Sequence, residues 1–406
     1  MKIVDARTFV VGNPPPHFGG RYFIFVKLVT DGGVEGVGEV YAATFGPHTV
    51  ARMIEDVCAR HVIGQDPFQI ERLWRNVYGA GYTLRPDVSV MGVLSGIETA
   101  CWDIIGKECG KPVYQLLGGQ VHERLRSYTY LYPKTGDVYP AKDDPGNVYR
   151  NPDLAAEFAA EFAAEAVEQG FTAVKFDPAG PYTVYDGHQP SLEDIERSVT
   201  FVRQIREAVG TRADLLFGTH GQFTTSGAIR LARQLEPYDP LWFEEPTPPE
   251  NPREMGRVAC QTTISIATGE RLATKYEFAR VLENQAASIL QPALGRVGGI
   301  LEGKKIAGLA ETYYAQIAPH PYCGPIEAAA NIQLATCSPN FLILESIQQM
   351  GGFHAELLKK PLTWQDGFII PPTDPGIGVE LDEAVAEAHP WDGDELHLTM
   401  VEDPVR

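Results

Sequence analysis

Apolar and polar positions in the first hundred residues alternate as in half-buried strands and then shift to a helical spacing. "RYFIFVKLVTDGGVEGVGEVY" is two β-rich runs joined at Asp31-Gly32-Gly33, a hairpin signal. Helical patterns follow up to about Lys111, and "VLSGIETACWDIIGKECG" ends in Gly110 with Pro112 just beyond. From about Ser127 the rhythm becomes short apolar run, helix, short apolar run. "SYTYLY" reads as a strand. A polar loop from Pro133 to Arg150 leads to a helix with Asn151 as cap, Pro152 at its first position and Gly170 past its end. Glu157, Glu161 and Glu165 form an acidic stripe on that helix, read as a solvated outer face.

The next runs are "FTAVKFD", "DLLFGTH", "PLWFEEP", "ISIATGE", "SILQPAL", "YAQIAPH" and "FLILESI", each but the last followed by a helical pattern. Strands alternating with helices imply a parallel sheet, and eight in succession imply a closed barrel, a (β/α)7β TIM-like fold. The tail from about Gly352, with "FIIPPTDPGIGVELDE", is expected to return to the N-terminal α+β region.

In such a barrel the C-terminal ends of the strands carry the chemistry. Those ends hold His220, Glu244 with Glu245, Glu270, His320 and Glu345. Glu270 follows Glu244 by 26 residues, one strand–helix unit, so the two carboxylates face one cavity from neighbouring strands. They repel unless a cation or a shared proton compensates, and a divalent metal is the simplest compensation. In "DLLFGTHGQFT", His220 stands two residues after Gly218, which on a strand puts the imidazole beside a position with no side chain.

Composition bounds this picture. With 406 residues, 44% hydrophobic and 21% charged, the chain is long enough for a large core and two domains. A net charge of −19 argues against nucleic acid or an anionic membrane surface as partner. It leaves room for an anionic substrate, because a metal or local cations reverse the field inside a pocket. The six cysteines (Cys58, Cys101, Cys109, Cys260, Cys323 and Cys337) form no CxxC pair, which predicts reduced thiols and a cytoplasmic setting. "MKIVDARTFVV" has no signal-peptide core and nowhere do 18 apolar residues run together, so a soluble protein is expected.

Longer blocks carry a resemblance. "SGIETACWDIIGKECGKPVYQLLGG", "FEEPTPPEN", "ATGER", "APHPYCGPIEAAANIQLA", "NFLILES" and "PPTDPGIGVELDE", in this order, resemble the enolase superfamily, and within it the mandelate racemase–like sugar-acid dehydratases such as galactonate dehydratases. The resemblance spans nearly the full length. It implies an N-terminal α+β capping domain (1–124), a barrel with the active site (125–352) and a C-terminal segment (353–406) that returns to the cap. It implies abstraction of the proton next to a substrate carboxylate, with the enediolate stabilised by Mg²⁺. Glu244 and Glu270 match the second and third metal ligands, and His320 the base. Glu345 matches the glutamate that bonds a substrate carboxylate oxygen. His220 matches the histidine of an Asp-x-His motif that protonates the departing hydroxide. Lys175 matches the first lysine of a Lys-x-Lys motif whose second position is here Asp177; both are expected at the substrate. A homo-oligomer, an octamer by family resemblance, is implied as well.

Two family groups are missing. The first metal-ligand carboxylate falls on Gly218, and the aspartate that orients the base falls on Ala293. His220 is therefore also a candidate third ligand, giving a His/Glu/Glu site that would accept Mn²⁺ or another divalent metal beside Mg²⁺. As a general acid or a structural histidine it would bind none. Arg296 does not suit the role of the lost aspartate, since a cation depresses an imidazole pKa. Specificity is expected from the loops "NPPPHFGGRYF" (His17, Phe18, Arg21, Tyr22), "YAATFGPH" (Thr44, Phe45, His48) and "YGAGYTLRPDVS" (Tyr82, Arg85), with Tyr182 and Tyr185 after the Lys175 strand. The expected activity is metal-dependent dehydration of an acid sugar, an aldonate or aldarate. The alternatives are isomerisation or cycloisomerisation from the same enediolate, or binding of sugar acids without turnover.

Overall fold

Two sheets organise the residues described by the computed structural model, 1–131, 152–177 and 187–397. The loop from Pro133 to Arg150, Asn151, Tyr182 and Tyr185 lie outside them. The first sheet is an antiparallel meander of β1 (Ile3–Gly12), β2 (Tyr22–Thr30) and β3 (Glu35–Glu39), turning from β2 into β3 at Asp31–Gly33. Helices α1 (Pro47–Val57), α2 (Ile70–Tyr78) and α3 (Val88–Cys109) follow. The Asp87 side chain accepts from the backbone of Ser89 and Val90 to start α3, and Gly110, in the left-handed region, ends it. At 22 residues α3 is long and apolar enough to cross a membrane, but 83% of its most apolar stretch is buried. It is the core helix of this region. Gly38 lets β3 lie directly on it, since a Cβ there would sit 1.8 Å from the Gly96 carbonyl oxygen.

After the short α4 (Val113–Leu116), strands and helices alternate. The strands are β4 (Leu125–Tyr130), β5 (Ala173–Phe176), β6 (Asp214–Gly218), β7 (Trp242–Glu244), β8 (Ile266–Thr268), β9 (Ile289–Leu290), β10 (Gln316–Ile317) and β11 (Leu344–Glu345). The helices between them are α5 (Pro152–Glu168), α6 (Leu192–Val209), α7 (Thr225–Leu235), α8 (Pro252–Ala259), α9 (Thr274–Glu283), α10 (Ile300–Glu311) and α11 (Pro325–Thr336). Among the described residues the eight strands are parallel and closed. β4 to β10 pair in sequence order, β11 pairs β4, and a parallel bridge from Ile317 to Phe341 links β10 to the β11 edge.

Alternation along each strand sorts the barrel. Val174, Leu215, Phe217 and Phe243 pack outward under the helices, while Ala173, Leu216, Trp242, Ala267 and Ile289 meet Tyr128 inside as an apolar floor. On α5, Ala156, Ala159, Ala163 and Ala166 are buried and Glu157 and Glu161 are exposed.

The tail divides. After α12 (Gly352–Glu356), the hairpin β12 (Thr363–Gln365) and β13 (Phe368–Ile370) stays on the barrel, pairing antiparallel with the start of β4. The stretch from α13 (Glu383–Ala388) onward reaches the first sheet, where Gly12 N donates to His389 O and Trp391 N to Val10 O. Two cap carboxylates lock the regions together. Glu98 accepts from the backbone of Ile300 and Leu301 at the start of α10, and Glu39 from Gly324 and Glu327 at the start of α11. Helix N-termini leave such N–H groups unsatisfied and favour negative charge.

Candidate active site

Two residues beyond the floor the same strands turn polar. Gly218 pairs in register with Glu244, and Lys175 with Leu216, one pleat lower. The Lys175 stem therefore has to climb to reach the mouth, and it does so past Gly218. Its Cε lies 3.4 Å from where a Gly218 Cβ would be, and its ammonium ends 2.6 Å from Glu244 Oε1. Gln291, two residues beyond the floor residue Ile289, donates its Nε2 to Glu244 Oε2 at 2.8 Å. Burial alone would lower the Lys175 pKa, but Glu244, Glu345 and Glu270 outweigh it and raise it.

Glu270 collects the two histidines. His220 Nε2 is 3.9 Å from its Oε1, and His320 Nε2 is 3.4 Å from its Oε2. His220 does not lie on β6. It follows the strand end with φ of 51°, in the left-handed region, so the two-residue face rule does not apply and its ring reaches Glu270 by the turn. Thr219 Oγ1, donating toward the carbonyls of Glu244 and Glu245 at 2.9 Å each, holds that turn. Such backbone costs about 1–3 kcal/mol and persists where its surroundings fix it. His220 Nδ1 meets Asp177 Oδ2 at 2.9 Å.

The two imidazoles are pushed apart in protonation. Burial would lower the His220 pKa, yet Glu270 and Asp177 raise it above its ordinary value. Burial takes His320 down to about 3; Glu270 opposes this, while Lys175, Arg296 and His220 add to it. Burial would raise Glu270, but His220, His320, Lys175 and Arg271 hold it well below the usual carboxylate range. Burial pushes Glu345, in register with Tyr128 on β4, up to about 7; Lys175 opposes this and Glu244 and Glu270 add to it. With alanine at 293, His320 Nδ1 has no hydrogen-bond partner among the described residues.

Of the three expected ligands, Glu270 and His220 face each other, and Glu244 is turned to Lys175 and Gln291. Both Glu244 oxygens are engaged, by an ammonium and an amide N–H, and His220 turns one nitrogen to Asp177 and the other to Glu270. Among the described residues no three His, Cys, Asp or Glu side chains gather as a metal would need. Lys175, expected at the substrate, faces the Glu244 carboxylate of its own chain.

The specificity loops are placed unevenly. Arg21 Nη1 donates to Leu396 O at 3.1 Å, and Tyr22 meets His397 edge-on, so this loop fastens the tail. His17 and Phe18 are half-buried in it. Tyr82 is 96% exposed and Arg85 is exposed too, because the chain swings into solvent where α2 stops at Tyr78; both stand outside the buried cluster. Thr44, Phe45 and His48 are exposed as well. Three groups at the mouth were not singled out in the sequence. Tyr41 stacks on His320 (centroids 6.4 Å, 13°) and lies under the Arg296 guanidinium, 4.0 Å away. Gln291 was detectable from its place two after an inward strand residue. His397 gave no local signal; the tail carries it against Tyr41, Tyr22 and Tyr322.

The chain matches the mandelate racemase / muconate lactonizing enzyme N-terminal domain over residues 18–118 and the enolase C-terminal domain-like family over residues 158–385. It is 35% identical to a D-xylonate dehydratase from Haloferax volcanii, over 97% of this chain and 90% of that one. It is 36% identical to a D-galactonate dehydratase from Ralstonia nicotianae, over 95% and 93%. A mandelate racemase/muconate lactonizing enzyme-type structure from Labrenzia alexandrii superposes with a TM-score of 0.94 at 67% identity, covering all of both chains.

Proposed function

Because the chain belongs to the mandelate racemase/muconate lactonizing enzyme family, we propose that it is a hydro-lyase that dehydrates an acid sugar, an aldonate or aldarate. One observation carries the reading: two imidazoles face the two oxygens of Glu270, one held neutral and the other inclined to carry a proton. Groups whose surroundings separate their pKa values in this way suit base and acid roles in one reaction. His320 takes the proton from the carbon next to the carboxylate. The neighbouring C–O bond breaks, and the leaving hydroxide takes the His220 proton and departs as water. The enol left behind rearranges to a 2-keto-3-deoxy acid. Glu345, pushed up by burial to about 7, donates to a substrate carboxylate oxygen in its protonated form.

Enzymes of this superfamily generally depend on a divalent metal, with Mg²⁺ or Mn²⁺ the ions expected from the sequence. The donors around Glu244 do not fit one. Lys175 and Arg296 lie close enough to His320 to depress its pKa and are the cations offered to the developing enediolate. The working form is read as a homo-oligomer, an octamer by family resemblance, which light scattering of the purified protein measures.

The test is a panel of aldonates and aldarates incubated in D₂O and followed by NMR. A 2-keto-3-deoxy product from at least one is expected. His320→Asn should lose both product and exchange of the α-proton, by roughly the 10²–10⁴-fold of a general base. His220→Asn should keep exchange and lose product. Exchange without any keto product from the wild type would point to an isomerase, and a His320→Asn variant of undiminished rate would remove the base from the reading.

A further inference from the structure

The sequence leaves a hole at Gly218, and the structure shows what borders it. The Lys175 stem runs beside it, its Cε in ordinary contact distance, 3.4 Å, of where a Cβ would stand. The stem ends on Glu244 Oε1 at 2.6 Å, and Gln291 closes the other oxygen at 2.8 Å. We propose that the Lys175 ammonium is the resident cation of this site, so that the chain needs no bound metal to keep Glu244, Glu270 and Glu345 in one cavity.

The argument is one of charge and room. Three carboxyl groups at the mouth require positive charge nearby, or a shared proton. Loss of one acidic ligand removes one of three negative charges around a divalent ion, and an ammonium seated on one of the two that remain adds repulsion against it. An ion approaching Glu244 meets a positive group already at hydrogen-bond distance and, among the described residues, no group of three His, Cys, Asp or Glu side chains arranged to hold it. Lys175 is 2% exposed and flanked by the floor residues Ala173 and Leu216, so its stem has little room to withdraw. With no acid at Gly218, the lysine that the family motif already places on this strand is left as the cation on Glu244. The inference goes beyond the proposed activity, since it concerns what holds the site together before any substrate arrives.

The experiment is Mn²⁺ titration of the purified full chain by electron paramagnetic resonance, in which bound Mn²⁺ disappears from the free-ion signal. No stoichiometric uptake by the wild type is expected, and its thermal midpoint should be the same in EDTA and in Mg²⁺. Gly218→Asp combined with Lys175→Met restores the acid and removes the amine; it should take up one Mn²⁺ per chain, roughly a hundredfold or more tighter than the wild type. Lys175→Arg, which keeps a cation, should stay metal-free. Wild type binding one Mn²⁺ per chain would overturn the proposal. So would a folded Gly218→Asp, Lys175→Met protein that still binds none, because the amine would then not be what keeps the ion out. Should that variant fail to fold, the wild-type titration and the EDTA comparison still decide. None of these readouts uses a substrate, so failure of the dehydratase reading would leave them unaffected.

Discussion

Glu244, the last residue of β7, reaches into the barrel toward Lys175, while Glu245, one past the strand end, turns away to Arg271. Glu245 is fully buried, 2.6 Å from Arg271 Nη2, and Thr268 Oγ1 donates to its other oxygen. Its backbone is in the left-handed region (φ 42°), and its carbonyl receives Gly221 N and Thr219 Oγ1 from the His220 turn. The outward pair therefore braces the inward site. Removing the guanidinium strands a buried carboxylate, a change that costs about 3–5 kcal/mol. Arg271→Ala is expected to lose that much in urea unfolding, and adding Glu245→Gln should recover part of it, because the stranded charge is gone. An Arg271→Ala protein within about 0.5 kcal/mol of wild type would mean that the pair braces nothing.

At the scale of elements, the contact of β3 with α3 is set by glycines rather than by side chains. A Cβ at Gly38 would meet the Gly96 carbonyl at 1.8 Å, and one at Gly36 the Ala100 carbonyl at 2.1 Å. Backbone cannot step aside as a flexible side chain does. Gly38→Ala is therefore expected to cost about 3 kcal/mol or more by forcing the sheet off its helix. Gly308→Ala, within α10 where a Cβ meets nothing within 4 Å, should be neutral or gain about 0.5–1 kcal/mol. Chemical denaturation of the two variants side by side reads the difference. Elements of this kind were largely legible in the chain. Short apolar runs at regular spacing marked the eight barrel strands, and Gly110 marked the end of α3. The unit spacing of Glu244 and Glu270 put both at one mouth. What spacing does not encode is reach. Lys175 sits a pleat below Glu244, and only its stem length and the absence of a side chain at 218 decide that its charge ends there. The left-handed turn at His220 was equally hidden, because the face rule assumes a strand that has already ended.

The molecule as a whole is held at the seam between the first sheet and the barrel, where buried carboxyl groups meet helix N-termini. Burial, and Glu327 beside it, push Glu39 up to about 8, although the backbone N–H groups of Glu327, Gly324 and Ile326 oppose the shift. Burial takes Glu98 up to about 7 in the same way. A carboxyl raised in the folded chain holds a proton that the unfolded chain has released. Its contribution to stability is complete below the ordinary value of 4.5 and is lost as pH rises through about 8 for Glu39. The thermal midpoint is thus expected to fall between pH 5 and pH 8, and Glu39→Gln should reduce the slope; an unchanged slope would take the seam out of the pH response.

The roof over the mouth joins residues that are 375 positions apart, Arg21 holding Leu396 while His397 lies against Tyr22 and Tyr41. On a translating ribosome, which adds about 5–20 residues per second, the early partner waits on the order of 20–70 seconds for the late one. Throughout that interval the nascent protein can finish its floor and its ring of strands while the chamber above stays open. The order of synthesis makes closure of the reaction space a late event in assembly, and a message cut short before Trp391 would yield a barrel with its chemistry uncovered.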